Sequence, residues 1–196
     1  MRACRRRAAV ALGLACLIAG PARATVLLPA DMPEVARAAA AVIVGRVVAV
    51  TTRLEPGTRR IERVVTLEVA QYLKGDLGRE VHVAVPGGQM GHYRTVMVGA
   101  PAFAPGEEVV LFLATRPAGL PYVVGLHQGV YRVTLDTRSG TRVVSPAPLV
   151  RDPDTTGAVT LRRGDPARRP LALDAFAAEV RRALAEPASR VPRRAR

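Results

Sequence analysis

The sequence predicts a mainly β protein: a small antiparallel barrel or sandwich with a short N-terminal helix and a C-terminal amphipathic helix. Stretches rich in β-branched residues recur along the chain, with glycine, proline and aspartate turns between them. Apolar residues make up 49% of the chain, but aromatics are only 4% and tryptophan is absent, so the core must consist of Val, Leu, Ala and Ile. The length of 196 residues suits one domain.

Residues 1–24 have the layout of a cleaved secretory signal peptide. Four arginines precede an apolar run over 8–19, Gly20 and Pro21 break that run, and small residues occupy the cleavage positions. The run is shorter than the ~20 residues of a membrane-spanning helix. We therefore expect an exported protein, periplasmic or extracellular, without a transmembrane span after processing. An uncleaved anchor, a misassigned start codon and lipidation of Cys16 are the alternatives.

Removal of this segment would change the chemistry and the charge of the chain. Both cysteines, Cys4 and Cys16, lie in it, so the mature domain would have no thiol nucleophile, thiolate metal site or disulfide. Five of the 29 basic residues would leave with it, which reduces the formal charge from +13 to +8. The excess falls mainly after residue 150, without an aromatic platform for stacking bases, so we expect no nucleic acid partner.

The predicted elements of the β domain follow one another at short intervals. Asp31 is placed to cap a short helix that runs to about Ala39, with Pro33 in its first turn. Alternating and β-branched runs then predict strands over 41–50, 60–73, 80–85, 94–98, 107–113, 121–124, 129–135 and 141–144. Together these elements give a β-barrel domain over residues 25–145.

The character of the chain changes after this domain. Residues 146–170 are rich in proline and charge without a hydrophobic period, which predicts a linker or irregular arm. Residues 171–186 predict an amphipathic helix packed on the β domain, and residues 187–196 predict a disordered basic tail. The apolar stripe of the helix consists of Leu173, Phe176, Val180 and Leu184.

Few residues of the chain are arranged for catalysis. The three histidines, His82, His92 and His127, lie too far apart for a metal motif such as HExxH. No serine sits in a GxSxG turn, and Glu107 and Glu108 would point to opposite faces of one strand. We therefore expect no catalytic residue, no metal and no cofactor. A hydrolase whose histidines and carboxylates are gathered by the fold is the open alternative.

The motif Pro86-Gly87-Gly88-Gln89-Met90-Gly91 has both a structural and a functional interpretation. A strand is expected after it rather than a helix, so it is not a phosphate-binding loop, and a barrel corner or β-bulge explains it structurally. Glycine also lets another molecule approach the backbone closely. The candidate partner-contact residues in this region are Gly87, Gly88, Gln89 and His92.

Three short motifs resemble the netrin-like OB-fold domain of tissue inhibitors of metalloproteinases. They are Ala40-Ala41-Val42-Ile43-Val44-Gly45-Arg46-Val47, Tyr72-Leu73-Lys74-Gly75 and Gly106-Glu107-Glu108-Val109-Val110-Leu111-Phe112. Secreted bacterial proteins of uncharacterised function are also similar over roughly residues 25–135. The resemblance implies an OB-like barrel. It also implies that the N-terminal α-amine and carbonyl contact a protease zinc; here Thr25 and Val26 stand at that position, without the cysteine of the family.

The sequence thus favours an exported, non-enzymatic OB-like module that binds a protein or envelope partner, with a metalloprotease among the candidates. Its candidate contact residues are Thr25, Val26, Gly87, Gly88, Gln89 and His92. An envelope hydrolase and a structural accessory protein are the alternatives. Convergence of the three histidines would favour the hydrolase, whereas an exposed apolar patch would favour partner binding.

Overall fold

The computed structural model describes residues 31–146 and 169–186, which fold into one large sheet, a small sheet and two helices. The predicted signal peptide, Thr25, Val26, the predicted basic tail and most of the predicted linker lie outside these ranges. In chain order the elements are helix α1 (Met32–Ala38), strands β1 (Ala41–Leu54), β2 (Ile61–Lys74), β3 (Glu80–Pro86), β4 (Gly88–Met90), β5 (Tyr93–Thr95), β6 (Glu108–Ala114) and β7 (Tyr122–Val123), a 3₁₀ helix (Leu126–Gly129), strands β8 (Val130–Asp136), β9 (Thr141–Pro146) and β10 (Leu171–Ala172), and helix α2 (Leu173–Ala185). The predicted mainly β class is confirmed.

Five strands of the large sheet pair with one another in a closed circuit that begins and ends on β1. β1 pairs antiparallel with β2 on one edge and with β6 on the other. β2 pairs antiparallel with β3, β3 pairs in parallel with β7, and β7 pairs antiparallel with β6. These pairings form a five-strand circuit, β1-β2-β3-β7-β6-β1, from which β8, β9 and β10 extend beside β6.

The boundaries differ from the prediction mainly around the glycine motif. The expected loop contains β4, which pairs with β5 in a separate two-stranded sheet, and β5 ends at Thr95 although a strand was expected to residue 98. β1 continues to Leu54 because its second half pairs with β2 after its pairing with β6 has ended at Arg46. The 3₁₀ helix was not predicted.

Two hydrophobic cores lie on opposite faces of β1 and β6. On one face, Ile43 and Leu111 belong to a core filled almost entirely by β-branched and leucine side chains of the five-strand circuit. On the other face, Val42 and Phe112 pack toward the helices. Strands that are buried on both faces show continuous apolar runs rather than alternation, which is why residues 109–113 are uniformly apolar in the sequence.

Both predicted helices are present and pack on the second core. α1 buries Val35 and Ala36, and its predicted capping residue Asp31 makes no side-chain cap hydrogen bond. α2 begins two residues later than predicted, because Leu171 and Ala172 pair with β9 before the helix starts. Its buried residues are Leu173, Phe176, Ala177, Val180 and Ala183, so the predicted apolar stripe faces the core. Neither helix among the described residues is long and apolar enough to cross a bilayer.

The lysine-glycine motif at the end of β2 anchors α1. The Lys74 ammonium donates hydrogen bonds to the carbonyl oxygens of Ala36, Arg37 and Ala39, at 2.9, 3.1 and 2.5 Å. A cation at this position satisfies the carbonyls that a helix end leaves open and complements the helix dipole. At Gly75 an added Cβ would lie 2.5 Å from the carbonyl oxygen of Ala40, so a side chain would collide with the backbone there.

Replacement of Lys74 by methionine is expected to lower the free energy of unfolding by about 2 kcal/mol, since hydrogen bonds from charged groups are typically worth ~1.5–3 kcal/mol. Methionine keeps most of the aliphatic stem but donates nothing to α1. Arg79→Met is the matched control, because Arg79 is exposed and makes no side-chain hydrogen bond to any other described residue. Urea unfolding measures both variants; equal stabilities would show that Lys74 does not hold α1.

Candidate functional site

A cavity of about 240 Å³ opens beside the five-strand circuit, where several connections meet. The β1–β2 turn contributes Glu55 and Arg60, the β6–β7 connection contributes Arg116, and β7 contributes Tyr122. Its apolar walls include Ile61, Val85, Met97 and Leu126. The cavity thus combines an apolar interior with charged groups at its margin.

Arg116 ties two of these connections together. Its guanidinium lies 4.6 Å from the centroid of the Tyr122 ring, within cation–π distance, and donates a hydrogen bond of 3.3 Å to Glu55 Oε1. The Thr58 hydroxyl donates to the other Glu55 oxygen at 2.6 Å. This hydrogen bond, followed by the charges of Arg116 and Arg60, holds the pKa of Glu55 below its ordinary value. Glu55 therefore stays ionised near neutral pH and keeps Arg116 above Tyr122.

Glu62 is a buried carboxylate in the cavity wall. Its side chain accepts hydrogen bonds from Arg53 Nε and Arg53 Nη2, at 2.8 and 2.7 Å, across the β1–β2 pair. A buried charge requires such a partner. Arg53 therefore lets Glu62 line the cavity as an ion pair.

The glycine pair forms the base of the β4–β5 hairpin. The Gly87 amide donates to the Ile61 carbonyl at 3.1 Å, and the Gly87 carbonyl accepts from Arg63 Nε at 3.2 Å. Arg63 also donates to the Pro101 carbonyl at 3.0 Å, and burial lowers the pKa of its guanidinium. A Cβ on Gly88 would lie 3.2 Å from side-chain atoms of Ile61 and Thr52. The absence of a side chain at Gly88 thus lets the hairpin pack closely across β1 and β2.

The hairpin and the segment after it carry a surface of exposed apolar side chains, which we call the hairpin surface: Tyr93, Val96, Met97 and Val98. Tyr93 and Val98 are the most exposed of them, at 77% and 83%. Met97 also lines the cavity, so the hairpin surface continues into it. Contiguous exposed apolar groups on a soluble domain commonly mark an interaction site.

Exposed arginines lie on the hairpin and in the β1–β2 turn that borders the cavity. Arg94 is exposed on β5, and Arg59 and Arg60 are exposed in the β1–β2 turn. Arg59 and Arg94 make no salt bridge with any residue in 31–146 or 169–186. These segments therefore present exposed apolar side chains together with exposed cations.

The structure brings together four of the six predicted contact residues. Gly87 and Gly88 form the hairpin base, Gln89 lies in β4, and His92 lies in the exposed turn before β5. Thr25 and Val26 lie outside the described residues. The sequence analysis missed the hairpin surface itself, because Val96-Met97-Val98 was interpreted as part of a strand. No local signal distinguished it, because an apolar triplet such as Val96-Met97-Val98 is equally typical of a buried strand.

The three histidines have separate surroundings. The His82 ring nitrogens lie 3.1 Å from Thr66 Oγ1 and 3.2 Å from Glu80 Oε1, whereas His127 Nδ1 lies 3.2 Å from the Gly99 carbonyl oxygen. Within the described ranges, no group of three or more His, Cys, Asp or Glu residues is placed to hold a metal ion. The hydrolase alternative gains no support from these positions.

We compared the chain with protein-family models, with curated proteins and with solved structures, and it matches none of them. The resemblance to netrin-like domains therefore stays a prediction from short motifs. The function has to be argued from the cavity, the hairpin surface and the strand circuit.

Proposed function

We propose that this protein is an exported, non-enzymatic binding module that holds a protein partner at the hairpin surface of an OB-like barrel. The five-strand circuit supports the barrel, since an OB-fold is a five-stranded, partly open barrel. Thr51 on β1 pairs with Val64 on β2, Val64 pairs with Ala84 on β3, and Ala84 pairs with Tyr122 on β7, which pairs with the end of β6. At the end of β6, Leu113 pairs with Ala41 of β1. A path that leaves β1 at Thr51 and follows the paired strands therefore returns to β1 about ten residues before Thr51. Such a stagger is what the closure of tilted strands requires.

The position of the cavity agrees with this proposal. OB-folds bind ligands on a face bordered by the loop between their first two strands and the loop between their last two. In this chain the corresponding loops contain Glu55 and Arg116, which meet at the cavity. The cavity is large enough to receive one apolar side chain of a partner, and buried anchor side chains of this kind dominate many protein interfaces.

The observation that carries the proposal is the hairpin surface, with its large apolar side chains left in solvent beside that cavity. Burial of apolar area contributes about 25 cal/mol per Å², so a partner that covers these side chains gains affinity. The surrounding arginines favour a partner with acidic groups at its rim. Both carboxylates at the cavity, Glu55 and Glu62, are bound to arginines, which supports a binding role over acid–base catalysis.

A metalloprotease is one candidate partner. The resemblance implies contact through Thr25 and Val26, which precede α1 in the chain. α1 lies against the 3₁₀ helix, whose Leu126 lines the cavity. Export itself rests on the pattern of residues 1–24. Contact through Thr25 and Val26 and export through the signal peptide are predictions that do not depend on the hairpin surface.

A photo-crosslinking amino acid at position 98 is expected to form a covalent adduct with a protein of the cell envelope of the producing cell. The same amino acid at Leu135, which is 61% exposed on β8, is the matched control and is expected to form none. Val96→Asp should abolish the adduct from position 98, because it places a charge in the apolar contact. Equal labelling from both positions, or adducts with lipid only, would contradict a protein partner at the hairpin surface.

A further inference from the structure

The charged groups around the cavity are not balanced. Two carboxylates line it, and each is already bound to an arginine: Glu55 to Arg116, and Glu62 to Arg53. Arg60 also lines the cavity and is exposed, and it forms no salt bridge with any residue in the described ranges. One cation of the cavity lining is therefore left without a carboxylate partner.

Arg63 is a second cation of this kind beside the cavity. Its guanidinium donates to the carbonyl oxygens of Gly87 and Pro101, both of which line the cavity, and it forms no salt bridge within residues 31–146 or 169–186. The side chain is partly buried, and burial lowers the pKa of its guanidinium. Because charges interact more strongly where water is excluded, Arg63 adds to the positive potential at the cavity wall.

A protein partner that covers the cavity would remove water from these two cations. Burial of a charge weakens a complex unless an opposite charge is supplied. The guanidinium of arginine presents paired N–H donors that match the two oxygens of a carboxylate. The charges therefore favour a partner that brings a carboxylate to the cavity, together with the apolar group that its walls accept.

The size of the cavity limits the distance between these two groups of the partner. Its volume of about 240 Å³ is below the ~300–1,000 Å³ of typical ligand pockets, which suits a single side chain. In an extended chain, neighbouring side chains point to opposite faces, so an acidic residue next to the apolar one would point away from the cavity. A C-terminal residue differs, because its side chain and its carboxylate are attached to the same Cα atom.

We propose that the cavity binds the C-terminal residue of the protein partner, with an apolar side chain against its apolar walls and the free carboxylate beside Arg60. Both oxygens of Glu55 already accept hydrogen bonds, from Thr58 and Arg116, which leaves Arg60 to the incoming carboxylate. The hairpin surface would contact the residues that precede the C-terminal one. This inference rests on the proposed function, because it names the part of the partner that enters the cavity.

Titration of the purified protein with N-acetyl-leucine and with N-acetyl-leucinamide tests this proposal. The two probes share one apolar side chain, and only N-acetyl-leucine has a free carboxylate. The methyl resonance of Met97, which lines the cavity, reports binding by NMR, and that of Met32, which packs on the core beside the helices, is the reference. We expect N-acetyl-leucine to bind about fivefold more tightly, as an ion pair with a partly exposed arginine allows. Equal dissociation constants, or no binding of N-acetyl-leucine, would overturn the proposal.

A pair of variants and a third probe identify the group that is recognised. Arg60→Met should remove the preference for N-acetyl-leucine, whereas Arg79→Met, which removes another exposed arginine from the β2–β3 connection, should leave it unchanged. N-acetyl-leucyl-aspartic acid amide, whose carboxylate is on the residue after leucine, should bind no more tightly than N-acetyl-leucinamide. If it binds as tightly as N-acetyl-leucine, or if Arg60→Met keeps the preference, the cavity does not recognise a C-terminal carboxylate and the proposal is wrong.

These titrations fail separately from the proposed function. An adduct from position 98, without a preference for N-acetyl-leucine, would support the interface at the hairpin surface and overturn only the C-terminal anchor. A preference for N-acetyl-leucine that Arg60→Met removes, without an adduct from position 98, would support the carboxylate site and contradict the protein interface at the hairpin surface.

Discussion

Replacement of Phe176 by alanine is expected to lower the free energy of unfolding by about 3–5 kcal/mol, the usual cost of removing a buried phenylalanine. Phe176 is 4% exposed, and its ring centroid lies 4.8 Å from that of Tyr131 and 6.4 Å from that of Phe112. These three rings join α2 to β6 and β8. Alanine would leave a cavity between helix and sheet, and a domain of this size is stable by only ~5–15 kcal/mol.

Arg181→Ala is the control for this prediction, because Arg181 lies on the exposed side of the same helix. It should change the stability by less than about 0.5 kcal/mol, as is usual for surface substitutions. Thermal and urea unfolding of the two variants measure the difference. If they unfold alike, α2 contributes little to the stability of the sheet, and the aromatic cluster does not hold it in place.

Replacement of Gly129 by alanine is expected to destabilise the fold by about 3 kcal/mol, at the upper end of the usual range for overpacking. An added Cβ would lie 2.3 Å from the Val124 carbonyl oxygen and 3.0 Å from Val123 Cγ1. The Phe112 carbonyl oxygen would lie 3.3 Å away on the third side. Because two of these neighbours are backbone atoms, one in β6 and one between β7 and the 3₁₀ helix, the collision is not relieved by a change of rotamer.

Gly140→Ala separates this collision from the ordinary effect of losing a glycine. Gly140 has a positive φ of 65°, but nothing lies within 4 Å of an added Cβ. Alanine there should cost only the strain of the left-handed conformation, about 1–2 kcal/mol. Urea unfolding is expected to rank Gly129→Ala as the less stable variant. The reverse order would show that the backbone around the 3₁₀ helix adjusts freely.

The sequence allowed the elements to be predicted better than their arrangement. Turn residues and apolar runs are local signals, so the helices and most of the strands could be located. The circuit depends on contacts between distant segments, such as the parallel pair between Ala84 and Tyr122, which no local pattern encodes. β1 was predicted too short because its second half pairs on one edge only and its side chains change between buried and exposed without a regular period.

The candidate site was predicted in part for the same reason. The glycine motif is a local signal, and it does mark the base of the hairpin beside the cavity. The contact between Glu55 and Arg116 joins residues 61 positions apart, so it could be found only in the fold. Exposure of Val96 and Val98 was also beyond sequence reasoning, because a valine run is equally compatible with a buried strand.

The affinity of the purified protein for the partner trapped from position 98 tests the central claim, a protein interface at the hairpin surface, most directly. Two variants are compared with the unmodified protein: Val96→Asp/Val98→Asp, and Leu135→Asp as a control at an exposed apolar residue on β8. We expect the hairpin variant to bind at least tenfold more weakly, a loss of about 1.4 kcal/mol or more, and the control to bind as tightly as the unmodified protein. Equal dissociation constants for all three proteins would contradict the claim.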